Sequence, residues 1–133
     1  MKDNNGFTLI EVLIAISIFA VGSLAVAALQ ISAGKSNRTG SEITMAANIA
    51  SDKMETLMAL DFGDPLLSAD PDDNPHPDSR DKYNLQWEVT DTDLDGDGTD
   101  DSKIINLTVS WAGYLDESSD PRNVKIDFIK PDI

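Results

Sequence analysis

The chain opens on a few polar residues and then turns apolar. From Val12 to Leu29, eighteen positions carry no charge, and only Ser17, Gly22 and Ser23 interrupt them. That is about the length a helix needs to cross a hydrocarbon core. From Phe7 to Leu60 there is no Pro and helix formers dominate. The pattern therefore predicts one continuous helix, roughly 80 Å long at about 1.5 Å per residue. Its second half changes character: Ile43, Ala47, Ala50, Met54 and Leu57 recur at intervals of three and four. This spacing puts them on one face, with Glu42, Ser51, Asp52 and Glu55 largely off it. Gly34 and Gly40 loosen the helix between the halves, each by about 1 kcal/mol relative to Ala. Helix signals stop around Asp61-Phe62-Gly63-Asp64-Pro65, where Gly and Pro oppose continuation.

Residues 64–80 hold Pro65, Pro71, Pro75 and Pro77 among many Asp, and predict a surface loop in which His76 is solvated rather than a ligand. Beyond it the period becomes two. Tyr83, Leu85, Trp87 and Val89 alternate with polar residues, as do Ile105, Leu107, Val109 and Trp111, and then Val124, Ile126 and Phe128. Strands with one apolar face must bury it, and the amphipathic half of the helix is the available cover. The expected fold class is α+β: a long N-terminal helix, apolar in front and amphipathic behind, packed on a small antiparallel sheet of about three strands. Trp87 and Trp111 sit on the apolar phase, which assigns them to the core rather than to a base-stacking platform.

Charge is unevenly spread. The 133 residues carry a formal net charge of −14, of which residues 61–133 hold −13 and residues 1–60 hold −1. Phosphate binding draws on clustered Lys and Arg, so the balance argues against a nucleic-acid partner. There is no Cys and a single His. This removes disulfides and thiol chemistry, and makes His-based zinc sites or a Ser-His-Asp triad a poor fit. No nucleophile elbow, phosphate-binding glycine loop or H-E-x-x-H motif occurs, and no enzyme activity is expected.

One segment carries a chemical signal. Asp91-Thr92-Asp93-Leu94-Asp95-Gly96-Asp97-Gly98-Thr99-Asp100-Asp101 places six carboxylates in eleven residues. Close carboxylate pairs repel by about 1 kcal/mol at 4 Å even in water. A hard divalent cation such as Ca²⁺, which takes six to eight oxygen ligands from a flexible loop, removes that penalty. Asp93, Asp95, Asp97, Gly98 and Asp101 fit a D-x-D-x-D-G-x-x-D spacing, and Asp91, Asp93, Asp95 and Gly96 offer an alternative frame. Neither frame has the Glu at position twelve that an EF-hand uses. A solvated hairpin turn is the other reading, since Asp-Gly is itself a hairpin signal. A Ca²⁺ site on Asp93, Asp95, Asp97 and Asp101 is the expectation carried forward.

The apolar front admits three readings. Ala25-Val26-Ala27 could end a cleaved secretory signal and release a soluble acidic domain, but the run is long and Glu11 sits at its start. A plain single-span anchor would leave a membrane-bound periplasmic calcium module that never assembles. The third reading rests on Gly6-Phe7-Thr8-Leu9-Ile10-Glu11-Val12-Leu13-Ile14-Ala15, which resembles the N-terminal processing motif of type IV prepilins and pseudopilins. A carboxylate in an apolar span is costly, on the order of 2.5–3.5 kcal/mol at the bilayer centre and less near its edge, and so calls for a partner or a function.

The resemblance implies cleavage by a prepilin peptidase between Gly6 and Phe7 and N-methylation of Phe7. It also implies that Glu11 meets the amino terminus of a neighbouring subunit during assembly. Gln30 after Ala27-Ala28-Leu29, then Ala47-Asn48-Ile49-Ala50 before Met54-Glu55, is similar to minor pilins of the PilV type. The implied organisation is a leader at 1–6, a membrane and filament-core helix at 7–31, its amphipathic continuation at 32–60, and an acidic soluble domain at 61–133. The implied function is a minor type IV pilin held in the inner membrane, with its domain in the periplasm until it enters a pilus. The alternative is a minor pseudopilin of a type II secretion system. Implied partners are other pilin or pseudopilin subunits, the peptidase and the inner-membrane assembly machinery.

Overall fold

The computed structural model describes residues 8–94, 96, 98–113 and 121–132. The elements are helix α1 (Leu9–Ala59), a 3₁₀ turn (Pro65–Leu67), and strands β1 (His76–Arg80), β2 (Tyr83–Thr92), β3 (Ser102–Trp111) and β4 (Arg122–Pro131). The chain divides into two compact units, Met1–Arg38 and Thr39–Ile133.

In the first unit every described side chain from Thr8 to Arg38 is exposed. Leu9, Ile10, Leu13, Phe19, Leu24 and Leu29 are among them. An apolar surface of this extent is unfavourable in water and requires lipid or other apolar helices around it. Among the described residues, α1 is the one helix long and apolar enough to cross a membrane.

The second unit is a four-stranded sheet in the order β1-β2-β3-β4, each strand antiparallel to its neighbour, with the Thr39–Ala59 part of α1 on one face. Tyr83, Leu85, Trp87 and Val89 of β2 pack with Ile105, Leu107, Val109 and Trp111 of β3 against Ala46, Ile49, Ala50 and Leu57 of α1. The period-two expectation thus holds on both central strands, and Trp87 and Trp111 are core. The α+β architecture is as expected, with one correction: the sheet has four strands rather than about three. The added strand, β1, lies inside the segment expected to be loop. Its inward side chains are His76, Asp78 and Arg80, in register with Trp87, Leu85 and Tyr83. Asp78 pairs with Lys53 at 2.8 Å and Arg80 with Asp52 at 3.0 Å. Ion pairs to the helix replace apolar contact, so β1 shows no apolar period.

His76 is buried rather than solvated. Its ring stacks on Trp87 at 5.3 Å between centroids, and its Nε2 lies 3.0 Å from the Ser68 carbonyl oxygen. A buried ring nitrogen needs such a partner.

The buried stripe of α1 is also displaced from the expected one. Glu42, Ala46, Ile49, Ala50 and Leu57 are buried, whereas Ile43 is 46 % exposed and Met54 only half-buried. Two charged side chains occupy the inward face because each has a partner there. Glu42 accepts from Lys82 Nζ at 2.6 Å, with an Arg122 nitrogen 3.8 Å from its second oxygen. Lys53 lies over the Trp87 ring, 4.1 Å from its centroid, while reaching Asp78. The ends of β4 grip the same helix segment. Arg122 donates to Thr39 Oγ1 at 3.0 Å, and Lys130 Nζ donates to the Met58 carbonyl oxygen at 2.8 Å. A cation on the last carbonyls satisfies acceptors that the helix itself cannot, and sits favourably at the negative end of its dipole.

Candidate functional site

Two segments, one in each unit, carry the candidate residues. In the first unit, Thr8 caps α1. Its hydroxyl oxygen accepts from the Glu11 N–H at 3.3 Å, and its carbonyl accepts from the same N–H at 3.1 Å. Thr8-Leu9-Ile10-Glu11 has the spacing of a capping box, so Glu11 also stands in the first turn, where the dipole favours an anion. No hydrogen bond or ion pair engages its carboxylate among the described residues, and the side chain is exposed on an otherwise apolar helix. Gly6 and Phe7 lie outside the described residues.

The acidic loop joins β2 to β3. Asp93 folds it: one carboxylate oxygen accepts from Gly96 N–H at 2.6 Å and the other from Gly98 N–H at 2.8 Å. Gly96 and Gly98 have φ of 78° and 91°, a region where a side chain would clash with its own backbone. The glycines are thus required by the turn that wraps around Asp93. Asp101 closes it from the far end, accepting from Leu94 N–H at 3.3 Å. Asp93 and Asp101, eight positions apart, are brought to the same mouth of the loop, which is exposed at both residues' neighbours Leu94 and Asp100.

Asp91 is drawn elsewhere. It faces Lys103 across the β2–β3 ladder and pairs with it at 2.5 Å, while the Lys103 ammonium also sits 4.6 Å from the centre of the Phe62 ring. That arrangement disfavours the frame that begins at Asp91. Asp95 and Asp97 lie outside the described residues. Among the described residues, no three acidic or His side chains are grouped to hold a metal. The donor set of the frame through Asp93 and Asp101 is all hard oxygen, which suits Ca²⁺ and not a soft metal.

Sequence reasoning missed the most structured electrostatic feature, the cluster around Glu42. Lys82 and Arg122 hold its carboxylate, the Tyr83 hydroxyl donates to its backbone carbonyl at 3.3 Å, and the residue is buried. The Lys82 hydrogen bond holds the Glu42 pKa below the usual carboxylate range against the opposing effect of burial, with Coulomb attraction adding to it. The Trp111 indole N–H leans on the same carboxylate but forms no well-shaped hydrogen bond with it. A Glu at a stripe position with its partners forty or more residues away leaves no local signal.

The family model for the prokaryotic N-terminal methylation motif matches residues 1–27. No curated protein and no solved structure matches the chain. The match covers 27 of the 133 residues and supports a type IV prepilin-like family. The motif implies association with other pilin-type subunits and processing by a prepilin peptidase, and an apolar helix long enough to cross a membrane accords with the anchoring typical of such proteins.

Proposed function

We propose that the chain is a minor type IV pilin, cut between Gly6 and Phe7, methylated at Phe7 and incorporated into a pilus to support its assembly or adhesion. The observation that carries this reading is the methylation motif running directly into a helix whose apolar side chains, from Leu9 to Ala33, are all exposed. Only burial among like helices or lipid stabilises such a surface, and a single carboxylate near its start, Glu11, supplies register through a neighbour's amino terminus. The protein is then a structural subunit and not an enzyme. Peptide mass spectrometry of the native membrane fraction is expected to find methylated Phe7 as the first residue. Glu11→Ala is expected to be processed equally yet recovered in sheared filaments at a much lower level. A mature start at Met1 or Ala28 would overturn the reading.

A second reading is a minor pseudopilin of a type II secretion system, a family in which the resemblance implies that calcium stabilises a loop in this region; the six carboxylates of residues 91–101 support it. Asp93 and Asp101, with Asp95 and Asp97 between them, would hold Ca²⁺ and remove the repulsion that concentrates in residues 91–101. Ligand binding to the folded state raises stability by mass action. The full chain in detergent should therefore melt at least several degrees higher in 1 mM Ca²⁺ than in EGTA, and Asp101→Asn should abolish the difference. Equal melting in both would sink the calcium site without touching the processing reading.

A further inference from the structure

The two edges of the sheet are unlike each other. β1 has five residues with Pro77 among them, whereas β4 has ten and meets a proline only at its end, Pro131. Short edges broken by proline resist pairing with another chain, and long regular edges template it. Backbone directions along β4 follow from one contact. The Asp132 N–H donates to the Asp101 carbonyl oxygen at 2.8 Å, and this pair continues the β3–β4 register. Bonded and non-bonded pairs alternate in an antiparallel ladder. Arg122, Val124, Ile126, Phe128 and Lys130 therefore turn their backbone groups toward β3. Asn123, Lys125, Asp127 and Ile129 turn theirs outward, where no strand follows among the described residues.

The side chains of β4 complement a reversed copy of themselves. On the outer face Lys125 and Asp127 are exposed, and their cross-strand neighbours Thr108 and Asn106 carry no charge. On the inner face Val124, Ile126 and Phe128 remain half-buried, although their counterparts on β3 are fully buried.

We propose that β4 pairs antiparallel with β4 of a second copy of this chain, with Ile126 on the two-fold axis. In that register the outward backbone groups of Asn123, Lys125, Asp127 and Ile129 bond those of Ile129, Asp127, Lys125 and Asn123 in the second copy. Each Lys125 stands opposite an Asp127, twice by symmetry. On the inner face Ile126 meets Ile126, and Val124 meets Phe128, so the half-buried rows cover one another. Arg122 comes opposite Lys130, but both already turn onto their own helix, at Thr39 and Met58. No other register centred on this strand puts both charges against their opposites.

The geometry also fixes which copies can meet. Thr39 lies at the Arg122 end of β4 and Met58 at the Lys130 end, so Thr39–Ala59 runs in the same direction as β4. Antiparallel strands then set the two helix segments in opposite directions. The contact does not suit neighbours ordered alike within one filament, which all point the same way. It is independent of the processing and calcium readings.

Sedimentation of the full chain in detergent tests the pairing. The wild-type chain is expected to dimerise, and Lys125→Asp or Asp127→Lys alone to weaken the dimer about tenfold, because each places two like-charge pairs face to face. A mixture of the two single variants, or the double variant, is expected to restore it. With no native Cys, Ile126→Cys should cross-link to itself under mild oxidation, since facing residues of a non-bonded pair stand about 4.5 Å apart at Cα, within disulfide range. Val124→Cys should not. A wild-type monomer, or a dimer indifferent to both charges as one held by the apolar helices would be, overturns the proposal. So does cross-linking at 124 in place of 126.

Discussion

Trp87→Ala is expected to destabilise the globular unit by about 4 kcal/mol, the middle of the range for an aromatic core side chain cut to Ala. Trp87 is fastened on several sides at once. His76 stacks on it, Lys53 lies over its ring, and its indole N–H donates to the Leu66 carbonyl oxygen at 2.8 Å. That last bond ties the 3₁₀ turn to the sheet. Further along, the Asn74 side chain pairs with the backbone of Val89 in both directions, at 2.8 and 3.1 Å. The segment 61–75 therefore has two anchors on β2, and Trp87 is the apolar one. Its loss should open this segment locally before the sheet unfolds. Hydrogen exchange should show early loss of protection at the amides of Leu67 and Ser68, which bond to Asp64 and Pro65 carbonyls, with β3 still slow. Trp87→Phe keeps most of the volume and leaves the Leu66 carbonyl unpaired, so about 1–2 kcal/mol is expected. Uniform loss of protection across 61–75 and β3 would show instead that the segment is not a separable unit.

This segment also marks where the sequence stopped being legible. The helix, β2, β3 and β4 each show a hydrophobic period in the sequence, because each buries apolar side chains on one face. β1 does not, since its inward positions are His76, Asp78 and Arg80, satisfied by Ser68, Lys53 and Asp52. A polar edge strand paired by charge has the composition of a loop. Glu42 and Ile43 fail in the same way. Apolarity alone assigns Ile43 inward and Glu42 outward, and the reverse holds because Lys82, in the β1–β2 turn, and Arg122, on β4, come from segments distant in sequence. For the acidic loop the spacing offers a calcium expectation, and the structure adds the turn that makes Gly96 and Gly98 necessary. The methylation motif matched at residues 1–27 was legible because it is contiguous and needs no fold to assemble it.

The Glu42 cluster makes the sharpest prediction of pH dependence. Glu42→Gln is expected to cost about 2 kcal/mol at neutral pH, below the usual range for breaking a buried ion pair because Lys82 and Arg122 are partly solvated and retain water once the carboxylate is gone. The folded pKa of Glu42 lies below its ordinary value of 4.5, so ionised Glu42 stabilises the fold. That contribution is complete above about pH 4.5 and is lost as pH falls through the lowered folded value. The stability difference between wild type and Glu42→Gln should therefore be constant from pH 7 to about 5 and then close as the carboxyl protonates. Asp78, lowered first by its hydrogen bond to Lys53, titrates in both proteins and cancels in the difference. So does the easing of repulsion among the many exposed carboxylates, which works in the opposite direction on acidification. Lys82→Met separates charge from packing: it leaves a buried carboxylate with Arg122 at 3.8 Å and the Trp111 indole beside it, without the hydrogen bond that lowers its pKa most, so the folded pKa rises and the same closure should shift to higher pH. Denaturant titrations of the three proteins at pH 7, 5 and 3.5 read this directly. A Glu42→Gln deficit that persists unchanged at pH 3.5 would mean that shape, and not the ion pair, is what Glu42 contributes at the inward face of the helix.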